Sequence, residues 1–151
     1  MNIIEFLQKD HQEYAKELVD IKRGLKEVGL VGKITQLISH CELHESVAHK
    51  VFSALSAFPK NLTSCEWVSN YKVNHEEMWK LLEKLKDSLW TKNVSSIQSA
   101  FSNFHTFIER YMSIEQLSLF PVIQEALNDN IRQELGERAE RYYHRFLNPA
   151  V

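Results

Sequence analysis

Three histidines, a tyrosine and a glutamate interrupt otherwise apolar periodic runs, and each carries an atom that binds metal. His11 falls in the row Ile4, Leu7, His11, Tyr14, Leu18, Ile21, Leu25, Val28. His44 falls in Ile34, Leu37, Cys41, His44, Ala48, Val51, Leu55, and His75 in Val68, Tyr71, His75, Met78, Leu82, Leu85, Leu89. Tyr111 and Glu115 continue Val94, Ile97, Phe101, Phe104, Ile108, and are followed by Ser118 and Val122. Steps of three and four mark the core-facing stripe of an amphipathic helix. A carboxylate on such a stripe loses most of its hydration, which is costly unless a cation or hydrogen-bond donors meet it.

A lone histidine on an apolar stripe is ordinarily a hydrogen-bonded core residue, and a buried tyrosine ordinarily finds a partner for its hydroxyl. Heights along the helices argue for a joint role instead, since a helix rises about 1.5 Å per residue. Counted from the turn at Gly29, His11 lies about 18 residues back and His44 about 15 forward, within about 5 Å of one level. From the turn near Lys92, His75 lies about 17 back, Tyr111 about 19 forward and Glu115 about 23. Glu45, beside His44, reaches inward as an oxygen ligand or orients a histidine from behind. His40, one turn before His44 in "HCELH", sits at the stripe edge about 11 Å from the level of His11 and ranks below His44. His49 and His105 fall off their stripes and read as surface or boundary residues. Imidazole with carboxylate and phenolate suits iron, manganese or zinc, and such donors on facing helices of a bundle make non-haem di-metal centres.

The elements that must position these residues are long helices, because only four glycines and three prolines punctuate the chain and no alternating strand pattern occurs. Helices are predicted at about 2–28, 31–57, 66–90 and from 95 onward, with Pro121 kinking or dividing the last before Leu127. The polar connection "PKNLTSCE" joins the second and third, and a short charged helix at about 130–147 follows the fourth. Short connections favour antiparallel neighbours. The predicted architecture is all-α, an up-down-up-down four-helix bundle with a short additional C-terminal helix. It forms a single domain over 1–151, with the core at about 3–127.

At this point the chain resembles the hemerythrin-like, histidine–histidine–glutamate cation-binding family, over about residues 3–127. The resemblance is carried by "DHQEY", "HCELHESVAHKVFSAL", "NHEEMWKLLEKL" and "FIERYMSIEQLSLFPVI", the last most specifically through Glu115 and Leu119-Phe120-Pro121. It implies His11, His44, Glu45, His75, Tyr111 and Glu115 as metal ligands and iron as the cofactor, two ions per chain, with one or none as alternatives. It departs from the family at Tyr111, which stands where a histidine is usual, and at Ala48, which stands where a bridging carboxylate is often found. Tyrosine binds ferric iron as phenolate, so Tyr111 is either a substituted ligand or the mark of a lost one.

The function implied is binding or sensing of O2, NO or peroxide at a metal site inside the bundle. Two alternatives stand beside it: a peroxide- or NO-reactive di-iron enzyme, and a degenerate metal-free bundle acting as an interaction module. A formal net charge of −2 offers no basic surface, so nucleic acid is not the expected partner. No stretch approaches the about 20 apolar residues of a membrane span, and "MNIIEFLQKDHQEY" is no signal sequence, so a cytoplasmic protein is expected. Cys41 and Cys65 match no zinc or redox spacing and read as reduced thiols, Cys41 as a small buried hydrophobe. Gly-x-Ser-x-Gly, phosphate-binding glycine loops and His-Glu-x-x-His do not occur, which leaves conventional hydrolase chemistry without support.

Overall fold

The computed structural model describes residues 1–26, 28–57 and 66–148, without the side chains of 66–70. The connection "PKNLTSCE" up to Cys65, and the stripe position Val68, lie outside what is described. Helix α1 (Ile3–Arg23) begins with a capping box. Asn2 Oδ1 accepts the N–H of Ile4 and Glu5, and the Glu5 carboxylate accepts the N–H of Asn2, which satisfies donors the helix itself leaves open. The helix closes at Gly24, whose N–H reaches the carbonyls of Asp20 and Ile21, four residues before the expected end near Val28. The chain then turns, and Gly29 takes a φ of 105° that other residues adopt only with strain. Leu25 is therefore half-buried, and Val28, placed on the stripe by periodicity, is fully exposed in the turn.

Helix α2 (Leu30–Ser56) buries Ile34, Leu37, Cys41, His44, Ala48, Val51 and Leu55, the whole of its predicted stripe. Helix α3 (Glu66–Trp90) has the predicted bounds and buries Tyr71, Met78, Leu82 and Leu85. Asn93 caps α4 (Val94–Ile114) by accepting the N–H of Ser96. Val94, in the first turn, is largely exposed, and the buried row starts at Ile97.

Pro121 neither breaks nor separates the fourth helix. The chain runs from α4 through a π-helical segment, Glu115–Leu119, into α5 (Phe120–Ala126) as one continuous rod. Proline lacks an N–H, and in a regular helix its ring clashes with the carbonyl four residues back. Widening the preceding turn, with the Phe120 N–H reaching the Glu115 carbonyl, accommodates it. The wider turn inserts one residue into the stripe. Leu119 and Ile123 occupy the buried positions expected of Ser118 and Val122, which are half-buried.

The four long helices close a ring, α1 against α2, α2 against α3, α3 against α4, and α4–α5 back against α1. Adjacent members are antiparallel. Lys33 pairs with Asp20 at 3.2 Å near the first turn, while residues far from that turn on both helices, Asp10 and His44, also meet. Gln98 Nε2 donates to the Leu25 carbonyl at 3.0 Å, so the α1–α2 and α3–α4 turns share one end of an up-down-up-down bundle. Helix α6 (Asp129–Leu147), capped by Asn128, lies outside the ring against α1 and α2. Gly136 is its contact point: a Cβ there would sit 2.0 Å from the Met1 carbonyl oxygen. Among the described residues there is no strand, and no helix is long and apolar enough to cross a membrane.

Candidate metal centre

Three of the residues singled out by spacing meet. One ring nitrogen each from His11 on α1 and His44 on α2, and a carboxylate oxygen of Glu115 at the start of the π segment, lie within 4.8 Å of one another. All three are at most 3% exposed. His44 Nε2 faces both Glu115 oxygens at 3.2 and 3.3 Å, and His11 Nε2 lies 3.7 Å from Glu115 Oε2. Burial pushes the Glu115 carboxyl up, but the charge and hydrogen bonds of His44, with His11 close by, outweigh it and hold it below the usual carboxylate range. Burial likewise opposes charge on His44, and Glu115 and Asp10 together hold it protonated well above its ordinary value. The buried Glu115 carboxylate thus has a cationic imidazole beside it.

Behind the trio stands a layer built on Asp10. Its carboxylate is 5% exposed and accepts three hydrogen bonds: His44 Nδ1–H at 2.6 Å, His40 Nε2–H at 2.6 Å and the Tyr143 hydroxyl at 2.8 Å. Burial raises the Asp10 pKa, yet the hydrogen bonds and charges of His40 and His44 carry it well below the usual range. His40 passes its other N–H to Glu17 at 2.5 Å and stacks on Tyr14 at a centroid distance of 4.1 Å. Burial lowers its pKa, but Asp10 and Glu17 outweigh burial and raise it to about 9. His40 is therefore a doubly donating cation behind His44, outside the inward-facing trio. His44 presents Nε2 to the interior because Asp10 fixes Nδ1 as a donor, the arrangement by which a carboxylate orients a metal-binding imidazole.

Glu45, His75 and Tyr111 form a second group on the α3 side of Glu115. His75 Nδ1 comes within 2.6 Å of Glu45 Oε2 but not along a hydrogen-bond direction. The carboxylate nonetheless raises the His75 pKa, against a partial desolvation that lowers it. His75 Nε2 accepts the Trp79 indole N–H at 2.9 Å. Tyr111 lies 6.4 Å, centroid to centroid, from Tyr71, one turn before His75 on the same face. Burial, with Glu115 and Glu45 nearby, pushes both phenols up. Both line a cavity of about 50 Å³ with Asn74, Glu115 and Ser118, room for a molecule of a few heavy atoms.

The donors fit a metal on two observations. His11 Nε2, both Glu45 oxygens, His75 Nδ1 and the hydroxyls of Tyr71 and Tyr111 are buried without a hydrogen-bond partner, and such groups ordinarily have one. They are also imidazole, carboxylate and phenol, the donor types of transition-metal sites. The His11, His44 and Glu115 trio fits once His44 gives up its Nε2 proton and the Gln116 amide releases His11 Nδ1, so that both inward nitrogens offer lone pairs. In the second group the inward nitrogen of His75 carries its proton, because Nε2 is engaged by Trp79; the ring must give up that bond to offer a lone pair. His49 is exposed and His105 pairs with Glu109 at 2.9 Å, both away from the centre. Cys41 is a free buried thiol donating to Met78 Sδ, its pKa raised by burial.

Sequence reading passed over Asp10, Tyr71, Gln116, Trp79 and Tyr143. Gln116 Nε2 donates to His11 Nδ1 at 3.1 Å, and both line a cleft of about 930 Å³ between α1 and the fourth rod, which brings solvent to the edge of the trio. Asp10 adjoins His11 and Tyr71 stands four before His75, so helical spacing alone could have found those two. No family profile, curated protein or solved structure matches the chain.

Proposed function

We propose that this is a hemerythrin-like protein that holds non-haem iron inside the bundle and binds or senses O2, NO or peroxide there. The observation that carries the reading is the convergence of His11, His44 and Glu115 from three helices into one buried point, with Asp10 fixing the tautomer that turns His44 Nε2 inward. Iron is preferred over zinc because phenol and carboxylate surround the imidazoles, through Glu45, Tyr71 and Tyr111. His11, His44 and Glu115 would hold the first ion. Glu45, Tyr111 and His75, with its ring released from Trp79, would hold a second, and Glu115 stands between the two groups.

Bound iron supplies reversible redox chemistry and a coordination position for a small oxidant. The chain's own part is to hold the donors in the buried core and to keep the cavity beside Tyr71 and Tyr111, walled by Ile114 and Leu119, open to a molecule the size of a diatomic. A reducing, cytoplasmic setting accords with the free thiol of Cys41.

One observation favours a second reading, a metal-free interaction module: the contact of 3.2 Å between His44 and Glu115 already neutralises the buried carboxylate. Metal analysis of protein purified without chelators separates the two. The iron reading expects about two irons per chain, or about one if only the trio is filled, and a broad visible band under air that is lost in Tyr111→Phe. No iron after anaerobic ferrous reconstitution leaves the metal-free bundle. Repeated turnover of peroxide or NO, rather than one stoichiometric reaction, would make the protein an enzyme.

A further inference from the structure

We propose that Tyr143 is a positioning residue of the metal centre, so that docking of α6 and metal binding are linked. The proposal rests on the reading of His11, His44 and Glu115 as ligands and adds a residue from outside the bundle.

Tyr143 lies on α6, the helix outside the ring, yet its hydroxyl donates at 2.8 Å to Asp10 Oδ2, the same oxygen that accepts His44 Nδ1–H at 2.6 Å. A carboxylate oxygen has two lone-pair directions. These two donors occupy both, and His40 holds the other oxygen. Asp10 is thereby fixed from α2 and from α6 at once, and it can hold the His44 ring in only one orientation. Tyr143 is itself fixed, with its ring edge-on to Phe6 at 4.8 Å and to His40 at 6.1 Å between centroids. About two turns earlier, the close seat of Gly136 on the Met1–Asn2 backbone sets how near α6 can come to α1. Its neighbour Tyr142 does something else, lying under the Lys50 ammonium at 4.3 Å.

Losing the Tyr143 donor frees one lone pair of Asp10, and the carboxylate can turn with His44 attached. Removing a group hydrogen-bonded to a metal ligand, as Asp10 is to His44, weakens metal sites by about 10- to 100-fold, and Tyr143, one bond further out, is expected at the lower end. Linkage makes the effect reciprocal: metal that binds the held site must tighten the docking of α6 by the same factor.

The experiment uses the full chain as wild type, Tyr143→Phe, Tyr142→Phe and Gly136→Ala. Cobalt(II) alone is titrated anaerobically, and the His44 Nδ1–H resonance is recorded in the metal-free proteins. The expected result is a loss of about tenfold in cobalt affinity in Tyr143→Phe, a comparable loss in Gly136→Ala, where α6 is displaced with the hydroxyl intact, and no change in Tyr142→Phe. The slowly exchanging Nδ1–H signal is expected in the wild type and lost in Tyr143→Phe, while circular dichroism stays the same. Amides of α6 gain hydrogen-exchange protection on cobalt addition in the wild type and Tyr142→Phe but not in Tyr143→Phe. Wild-type affinity with an unchanged Nδ1–H signal in Tyr143→Phe overturns the proposal. If the wild type takes up no cobalt, the metal reading and the linkage fall together, and the Nδ1–H signal alone decides whether Tyr143 positions His44.

Discussion

Glu115 has exchanged its water for two histidines, and the partnership is unequal. His44 approaches at 3.2 Å and carries charge, whereas His11 stands at 3.7 Å with its Nε2 unpartnered. Removing one member of a buried ion pair leaves the other uncompensated, at a cost of about 3–5 kcal/mol. Glu115→Gln should therefore destabilise the metal-free protein by about 3 kcal/mol in urea unfolding and abolish metal uptake. The histidines also set the pH response. His40 is raised to about 9 by Asp10 and Glu17 against its burial, and His44 and His75 are raised as well. A group that holds its proton more tightly when folded stabilises fully below its unfolded pKa, about 6.5 for histidine, and loses that contribution as pH rises through the folded value. Thermal melts of the metal-free protein should fall steadily between about pH 6.5 and 9, and His40→Gln should flatten the fall. Metal loading should release protons in the same range, because His44 must give up its Nε2 proton to offer a lone pair.

At the scale of elements, the stripe on α2 was fully legible, because every third or fourth residue from Ile34 to Leu55 is buried as spacing demands. The fourth rod was legible only as far as Glu115. Beyond it the π segment adds a residue to the turn, and a reading in steps of three and four keeps the wrong phase; Pro121 was the visible sign that the helix had to change there. Deleting Ser118 should remove the inserted residue and leave Leu119 and Ile123 on the buried stripe, but it also removes the widened turn that accommodates Pro121. A proline ring against the carbonyl four residues back costs about 3 kcal/mol, so a lower melting temperature by circular dichroism is expected. The end of α1 was misread for a related reason: Leu25 and Val28 continue the pattern, but Gly24 has already closed the helix. For α6, Gly136→Ala places a methyl against the Met1–Asn2 backbone. Overpacking of that kind costs about 1–3 kcal/mol, measurable as a shift in the denaturant midpoint.

Across the whole molecule, the site draws on α1, α2, the fourth rod and α6, and the last contribution had no sequence signature. Asp10 and Tyr143 are 133 residues apart, and no periodicity connects them; only the docking of α6 along α1 brings them together. A ligand bound by the native state alone stabilises it by about 2.7 kcal/mol at a hundredfold excess over its Kd. In a domain of this size that is an increase of about 5–10 °C, to be read with ferrous iron and reversed with chelator. The bond from the Trp79 indole to His75 has an optical consequence. Trp90, 86% exposed at the far turn, is blind to the centre, whereas the emission of Trp79 depends on which way the His75 ring faces. Any event that turns His75 inward breaks the hydrogen bond to that indole, so the chain carries an intrinsic fluorophore wired to its second group of donors, and filling of that group can be followed by light alone, without a label.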